Sequence, residues 1–368
     1  MLVKNAIPSE EPVIDVGIVL PEDETRKVAL ILPGDTRYRM VFGDHSQKVE
    51  GGGPVTVQLE GDRVVGLLPG GQTVAGEELT LEPISSSPLG PKSGVEVKNV
   101  IAGRGFHWKK RISVFLPGQL IFRPFDGQLL LVNRLAFEDY LACVTTSEMG
   151  PACPAAYIEA QAIAARSWML ANVEQKHRAL GIDVCNDDCC QRYQGTTYLT
   201  RAAMQAALHT RGQVLMFNGT ICDARYSKSC GGMMEAFENI WAGDAKPYLI
   251  VKPDMPEEDT TFQPHLEQEQ AVRKWVKQVP PAFCSPQVIP ETELGKYLGG
   301  VDERAHYFRW SFSVSQHEMT QLLNRKLHLD AEKMTGFRPL KRGGSGRITQ
   351  LAIDYISASS QPRQFVLQ

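Results

Sequence analysis

The chain has 368 residues, 43% of them hydrophobic and 22% charged, with a formal net charge of -3. That length holds two or three domains with sizeable cores, and the composition is that of an ordinary soluble globular protein. Near-neutral charge without a dense Lys/Arg stripe excludes a nucleic-acid footprint. No apolar run approaches the ~20 residues that span a bilayer, and the opening MLVKNAIPSEEP lacks the apolar core and cleavage site of a signal peptide.

Residues 12–101 read as short strands (VIDVGIVL, KVALIL, YRMVF, VTVQLEG, VVGLL) punctuated by Pro-Gly, Gly-Asp and Gly-Gly-Gly turns. This predicts a β-rich domain over 1–101. Strands continue as RISVFL, QLIFRPF and QLLLVNRL, with an Asp-Gly turn between the last two, and FEDYLACV reads as a short helix. A long helix is expected from Pro154 to about Leu180, where Gly181 would end it. Its apolar stripe is Ile158, Ala162, Ala165, Met169 and Val173. Thr200 should cap a further helix over RAAMQAALHTR. QVLMF and TICDARYS then flank Asn218-Gly219, a strong hairpin signal. HLEQEQAVRKWVKQV reads as another helix, broken by Pro280-Pro281. The remainder mixes strands (YFRWSFSV, RITQLAIDYI) with a helix at HEMTQLLNRKL. The expected class is α+β: a β-rich N-terminal domain, a mixed helical/β core over 102–280, and a mixed C-terminal segment over 281–368 packed on that core.

The most informative stretch surrounds Glu148, an acid in a Ser-Glu-Met-Gly-Pro turn between an apolar segment and the alanine-rich helix. A carboxylate held in one orientation and partly desolvated beside Met149 is suited to general acid–base work. The plainer reading is a helix-terminal acid favouring the macrodipole. Arg166 could pair with Glu159 on the surface, or present its guanidinium fork to sugar hydroxyls or a carboxylate.

Eight cysteines (143, 153, 185, 189, 190, 222, 230 and 284) cluster between Cys185 and Cys230, which favours a metal site or local redox pair over a disulfide framework. Cys185, Cys189 and Cys190 could share a zinc ion, with Cys230, Cys284 or water as fourth ligand. A disulfide from Cys185 or Cys190 to Cys230 is the alternative. Gln191, Tyr193 and Gln194 form a polar-aromatic set suited to sugar rings and hydroxyls. In the loop from Tyr226 through Ser227 and Ser229 to Gly231 and Gly232, the glycines would let backbone N–H groups approach a ligand.

Four ordered blocks, NRLAFEDYLACVTTSEMG, EAQAIAARSW, DVCNDDCCQRYQG and ARYSKSCGG, resemble the stage II sporulation protein D / amidase enhancer family. A weaker block, YFRWSFSVSQHEM…RGGSGRITQL, is similar to that family's later β-rich portion, so the resemblance extends from about Val13 to the C-terminus. It implies a lytic transglycosylase of peptidoglycan that leaves 1,6-anhydro-muramic ends, with 102–280 as the family's core. The family's acid falls on Glu148, its helix arginine on Arg166, and its metal motif on Cys185, Cys189 and Cys190, with Cys230 added here as fourth ligand. The implied cofactor is a structural zinc, with no organic cofactor.

The substrate-lining set implied is Gln191, Tyr193, Tyr226, Ser227, Ser229, Gly231 and Gly232. Implied partners are glycan strands and a cell-wall amidase, in the cell envelope or outside the cell, the signal sequence lying outside this chain. The chain departs from the family at Glu159, where a basic residue is usual, and at Cys189, where His is usual. It also lacks a Gly-His-Gly-x-Gly segment. Glu159 and the missing segment fit the alternative of a non-catalytic glycan-binding amidase activator.

Overall fold

The computed structural model describes every residue except 86–87, 107, 151, 257–263 and 299–305. The chain divides into two compact units, Met1–Arg225 with Gly295–Glu303, and Tyr226–Leu294 with Arg304–Gln368.

The first unit opens with β1 (Val13–Val19), β2 (Lys27–Ile31), β3 (Tyr38–Phe42), β4 (His45–Val49), β5 (Pro54–Glu60) and β6 (Arg63–Leu67). It continues with β7 (Thr73–Gly76), β8 (Leu79–Pro83), β9 (Val95–Ala102), β10 (Lys110–Leu116), β11 (Gln119–Phe125) and β12 (Gln128–Ala136). Then come α1 (Phe137–Glu148), α2 (Ala155–Ala171), β13 (Val184–Cys185), α3 (Arg201–His209) and the pair β14 (Met216–Phe217) and β15 (Thr220–Ile221).

Two sheets, ordered β13-β1-β12-β11-β8-β3-β4 and β10-β9-β2-β5-β6-β7, share one apolar core. Alternation drives this: β5 buries Val55, Val57 and Leu59 and turns the residues between them outward. β11 and β12 are buried on both faces. Phe122, Leu129 and Leu131 enter the main core, while Ile121, Leu130 and Val132 meet Ile182 and Cys185.

The boundary expected at residue 101 is corrected by pairing that crosses it. Val13 registers with Ala136, Leu81 with Leu120, and Ala102 with Lys110. Sheet amides and carbonyls take whichever strand satisfies them, near or far along the chain. The boundary at 280 is likewise absent, since residues 226–280 belong to the second unit.

α1 runs to Glu148 itself, so the acid is a helix's last residue; Pro151 of the expected turn lies outside the described residues. α2 buries Ile158, Ala162, Ala165 and Met169, but stops at Ala171 instead of Leu180. Asn172 takes the left-handed conformation there (φ 45°) and its N–H bonds the Trp168 carbonyl. Asn tolerates that conformation better than most residues, and it ends the helix as a glycine would. Val173 therefore leaves the stripe and is exposed. Small side chains let α1, α2 and α3 pack closely, with Ala142, Ala203, Ala206 and Ala207 beside Ile158, Met149 and Leu199. Thr200 caps α3 through a bond from the Ala203 N–H, and Asn218 and Gly219, both at positive φ, make the hairpin turn.

In the second unit β16 (Met233–Met234) pairs with β17 (Lys252–Pro253). α4 (Glu269–Trp275), α5 (Glu291–Leu294) and α6 (Gln316–Leu327) follow, then a sheet of β18 (Ala331–Arg342), β19 (Ile348–Ser357) and β20 (Pro362–Leu367) in that order. α6 begins with a Ser315/Glu318 capping box. The helix expected over 265–279 shortens to α4, and the YFRWSFSV segment forms no strand. β18 was not anticipated because Gly336 and Pro339 interrupt its pattern; the ladder accommodates them at irregularities in register. The α+β class stands. Among the described residues no helix is long and apolar enough to cross a membrane.

Candidate functional site

Glu148 stands where α1 meets the loop after the cysteines. Its Oε1 accepts the Arg192 backbone N–H at 2.8 Å, and the residue is half-buried. One residue earlier, Ser147 Oγ donates to the Cys143 carbonyl (2.8 Å) and accepts the Gln194 N–H (3.1 Å). Helix end and loop are thus laced together by backbone donors, one of which helps fix the carboxylate's direction.

The loop is anchored from below. Tyr140 of α1 and Tyr193 stack at 5.3 Å, both fully buried. The Tyr140 hydroxyl donates to Gln191 Oε1 (3.0 Å), and Gln191 Nε2 donates to the Ala165 carbonyl of α2 (3.3 Å). The Tyr193 hydroxyl donates to Asn133 Oδ1 at 2.6 Å, and Asn133 Nδ2 bonds the Pro117 carbonyl. Gln191 and Tyr193 therefore hold the loop from the interior, which corrects their expected sugar-contacting role; a side chain with 1% or less of its surface exposed cannot stack on a pyranose. Arg192 is itself buried, paired with Asp188 (2.9 Å) and lying over the Trp108 ring. Both amide atoms of Gln194 are buried without a hydrogen-bond partner. Gly195 at φ +56° closes the loop, and any Cβ there would collide with the Phe115 carbonyl oxygen. On the other side, the Gly150 N–H donates to the Tyr297 carbonyl at 3.0 Å.

Arg166 is also placed otherwise than expected. Its guanidinium grips the Glu138 carboxylate (Nε 3.0 Å, Nη2 2.6 Å) and donates to the carbonyls of Gln213 and Ala207 and to Thr210 Oγ1. It ties α1, α2 and the end of α3 together from a buried position. Glu159, its proposed surface partner, pairs instead with His209.

Cys185, Cys189 and Cys190 converge with His177, their four ligand atoms lying within 4.8 Å of one another. Cys185 and Cys189 sulfurs are 3.1 Å apart, and His177 Nε2 is 3.8 Å from Cys189. The hydrogen bond from Cys185 first, then those from Cys190 and His177, hold the Cys189 thiol far below its usual range. Its partner Cys185 is pushed up to about 12, first by the bond to Cys189. Three sulfurs and an imidazole are a donor set that zinc takes. Cys230, expected as fourth ligand, belongs to the second unit, where it faces Cys284 at 3.7 Å and Asp254. The whole Tyr226–Gly232 loop lies in that unit too, Tyr226, Ser227, Ser229, Gly231 and Gly232 included.

His177 escaped the sequence reading because a helix to Leu180 would have carried it away from the cysteines. The Asn172 stop folds 173–180 back. The available signal was a histidine eight residues before Cys185.

Residues 125–217 match the family "Stage II sporulation protein", SpoIID, and residues 235–364 match a domain of unknown function, DUF8618. The ARYSKSCGG block falls outside the first match and most of the later β-rich block inside the second, so the family likeness is narrower than the sequence suggested. An uncharacterized protein of Brachyspira hyodysenteriae is 33% identical over 132 residues, covering 36% of each chain. The amidase enhancer of Bacillus subtilis is 32% identical over 111 residues, 30% of this chain and 14% of that one. The chain therefore matches about a third or less of the length of these relatives. The part of the chain that matches, α1 through β14 with the Glu148 loop and the cysteine cluster, is similar to the stage II sporulation protein domain and to a portion of the amidase enhancer.

Proposed function

We propose that the chain works on the bacterial cell wall as a lytic transglycosylase of peptidoglycan glycan strands, in the cell envelope or outside the cell. The observation that carries this is the setting of Glu148: a half-buried carboxylate at a helix end, with one oxygen pinned by a backbone N–H. In this reading the protonated carboxyl gives its proton to the glycosidic oxygen as the bond breaks. The resulting carboxylate takes a proton from the muramic acid C6 hydroxyl, which closes the 1,6-anhydro ring. The internal hydroxyl replaces water, so one carboxylate suffices where hydrolases need two.

The experiment is mass spectrometry of glycan strands, denuded and intact, after incubation with the protein. Anhydro-muramic ends are the expected product. Reducing ends would mean hydrolysis and sink the mechanism. Strand binding without any cut would leave the activator of a cell-wall amidase as the better reading.

His177, Cys185, Cys189 and Cys190 would hold a zinc ion in a closed four-ligand site, which supplies folding free energy and no catalytic step. Stripping metal with a chelator is expected to cost the first unit about 3 kcal/mol or more, a drop of roughly 6–12 °C in Tm. An unchanged Tm after verified metal removal would contradict the structural zinc.

A further inference from the structure

The second unit carries a cluster that neither the glycan chemistry nor the first cysteine group uses. Cys230 precedes β16, Asp254 follows β17, and Cys284 lies in the loop beyond α4. These three segments meet so that the two sulfurs and a carboxylate oxygen lie within 4.8 Å of one another. The meeting is built by the backbone. The Asp254 N–H donates to the Gly232 carbonyl (3.2 Å), the Phe283 N–H to the Asp254 carbonyl (2.8 Å), and the Cys284 N–H to Asp254 Oδ2 (3.0 Å). Arg347 fixes the Cys230 carbonyl at 3.0 Å, and Arg309 fixes the Gly231 carbonyl at 2.8 Å while lying over Phe308 and Trp275.

We propose that Cys230, Cys284 and Asp254 form a second metal site, for zinc or another thiophilic divalent cation, which staples these three segments. Two thiolates on one tetrahedral zinc, each about 2.3 Å from the ion, stand about 3.8 Å apart. The sulfurs here are 3.7 Å apart. The Asp254 bond to the Cys284 N–H orients the carboxylate, the part an outer-shell partner plays for a metal ligand. The Arg309 guanidinium offsets the negative charge that two thiolates and a carboxylate leave on a divalent ion. The apolar cluster at Cys284 is small, Met255, Ala282 and Phe308, so a metal would add to the cohesion of these segments. With three protein ligands, the fourth position falls to water.

The test uses the full chain, reduced, with and without zinc, and reads thiol alkylation cysteine by cysteine through peptide mass spectrometry. Zinc should slow labelling of Cys230 and Cys284 together by at least about tenfold, and a chelator should restore it. Equal rates with and without zinc, or recovery of the two as a disulfide-linked pair from the protein as purified, would overturn the site. Asp254→Asn keeps an acceptor for the Cys284 N–H but loses the charge. It should weaken zinc protection of this pair at least tenfold while leaving protection of Cys189 and Cys190 unchanged. Undiminished protection of Cys230 and Cys284 in that variant would exclude Asp254 as a ligand and refute the three-ligand site. Because each cysteine is read separately, failure here is distinct from failure of the first zinc site or of the glycan reading.

Discussion

Replacing Arg166 with alanine is expected to destabilise the first unit by about 3–5 kcal/mol, the cost of breaking one side of a buried ion pair. Arg166 is 1% exposed, and its removal strands the Glu138 carboxylate and deprives the Gln213 and Ala207 carbonyls and the Thr210 hydroxyl of a donor. The site cannot easily collapse, because α1, α2 and α3 already pack through alanines. Lysine should recover little: one ammonium cannot meet a carboxylate edge-on and two carbonyls in other directions. The measurement is the urea midpoint of unfolding with its slope. A loss below about 1 kcal/mol would show that the pair contributes nothing net. Unchanged glycan binding below the melting temperature would confirm that Arg166 acts through the scaffold and not on the sugar.

This arginine shows where the sequence was readable and where it was not. Its presence in a motif was visible, but its partner Glu138 lies 28 residues away at the start of α1, and only the packed helices bring the two together. The same holds for Gln191 and Tyr193. A polar-aromatic run in a loop looks like a binding surface, yet the Tyr140 ring and Asn133 draw these side chains inside. Local signals did well where the physics is local: the alternation of β5, the Asn218-Gly219 turn, the Thr200 cap and the apolar stripe of α2. They failed where a single residue overrides the pattern. Asn172 ends a helix whose composition invites continuation and thereby delivers His177 to the cysteines. Strand pairing across residue 101 was invisible for the same reason: alternation says which face is buried and nothing about which strand lies beside it.

Glu148→Gln should reduce glycan cleavage by about 10²–10⁴-fold, the range supplied by a positioned acid–base. The amide is nearly isosteric, and its oxygen can still accept the Arg192 N–H, so fold and strand binding should persist. What it cannot do is give up a proton to the leaving oxygen and take one back from the C6 hydroxyl. α1 itself offers two alternatives, and neither is equivalent. Glu138 is engaged by the Arg166 guanidinium. Asp139 is raised from its ordinary value, first by burial and then by Glu11 and Glu138. It sits nine residues before Glu148, which along a helix is about 14 Å. Paired carboxylates in glycosidases stand about 5–9.5 Å apart, so these two cannot flank one glycosidic bond. If cleavage in Glu148→Gln stays within tenfold of the parent, Glu148 is not the acid, and Asp139, at the other end of α1, is the next group to replace. If cleavage is lost with binding intact, one carboxylate at a helix end is doing both proton transfers, as the anhydro product requires.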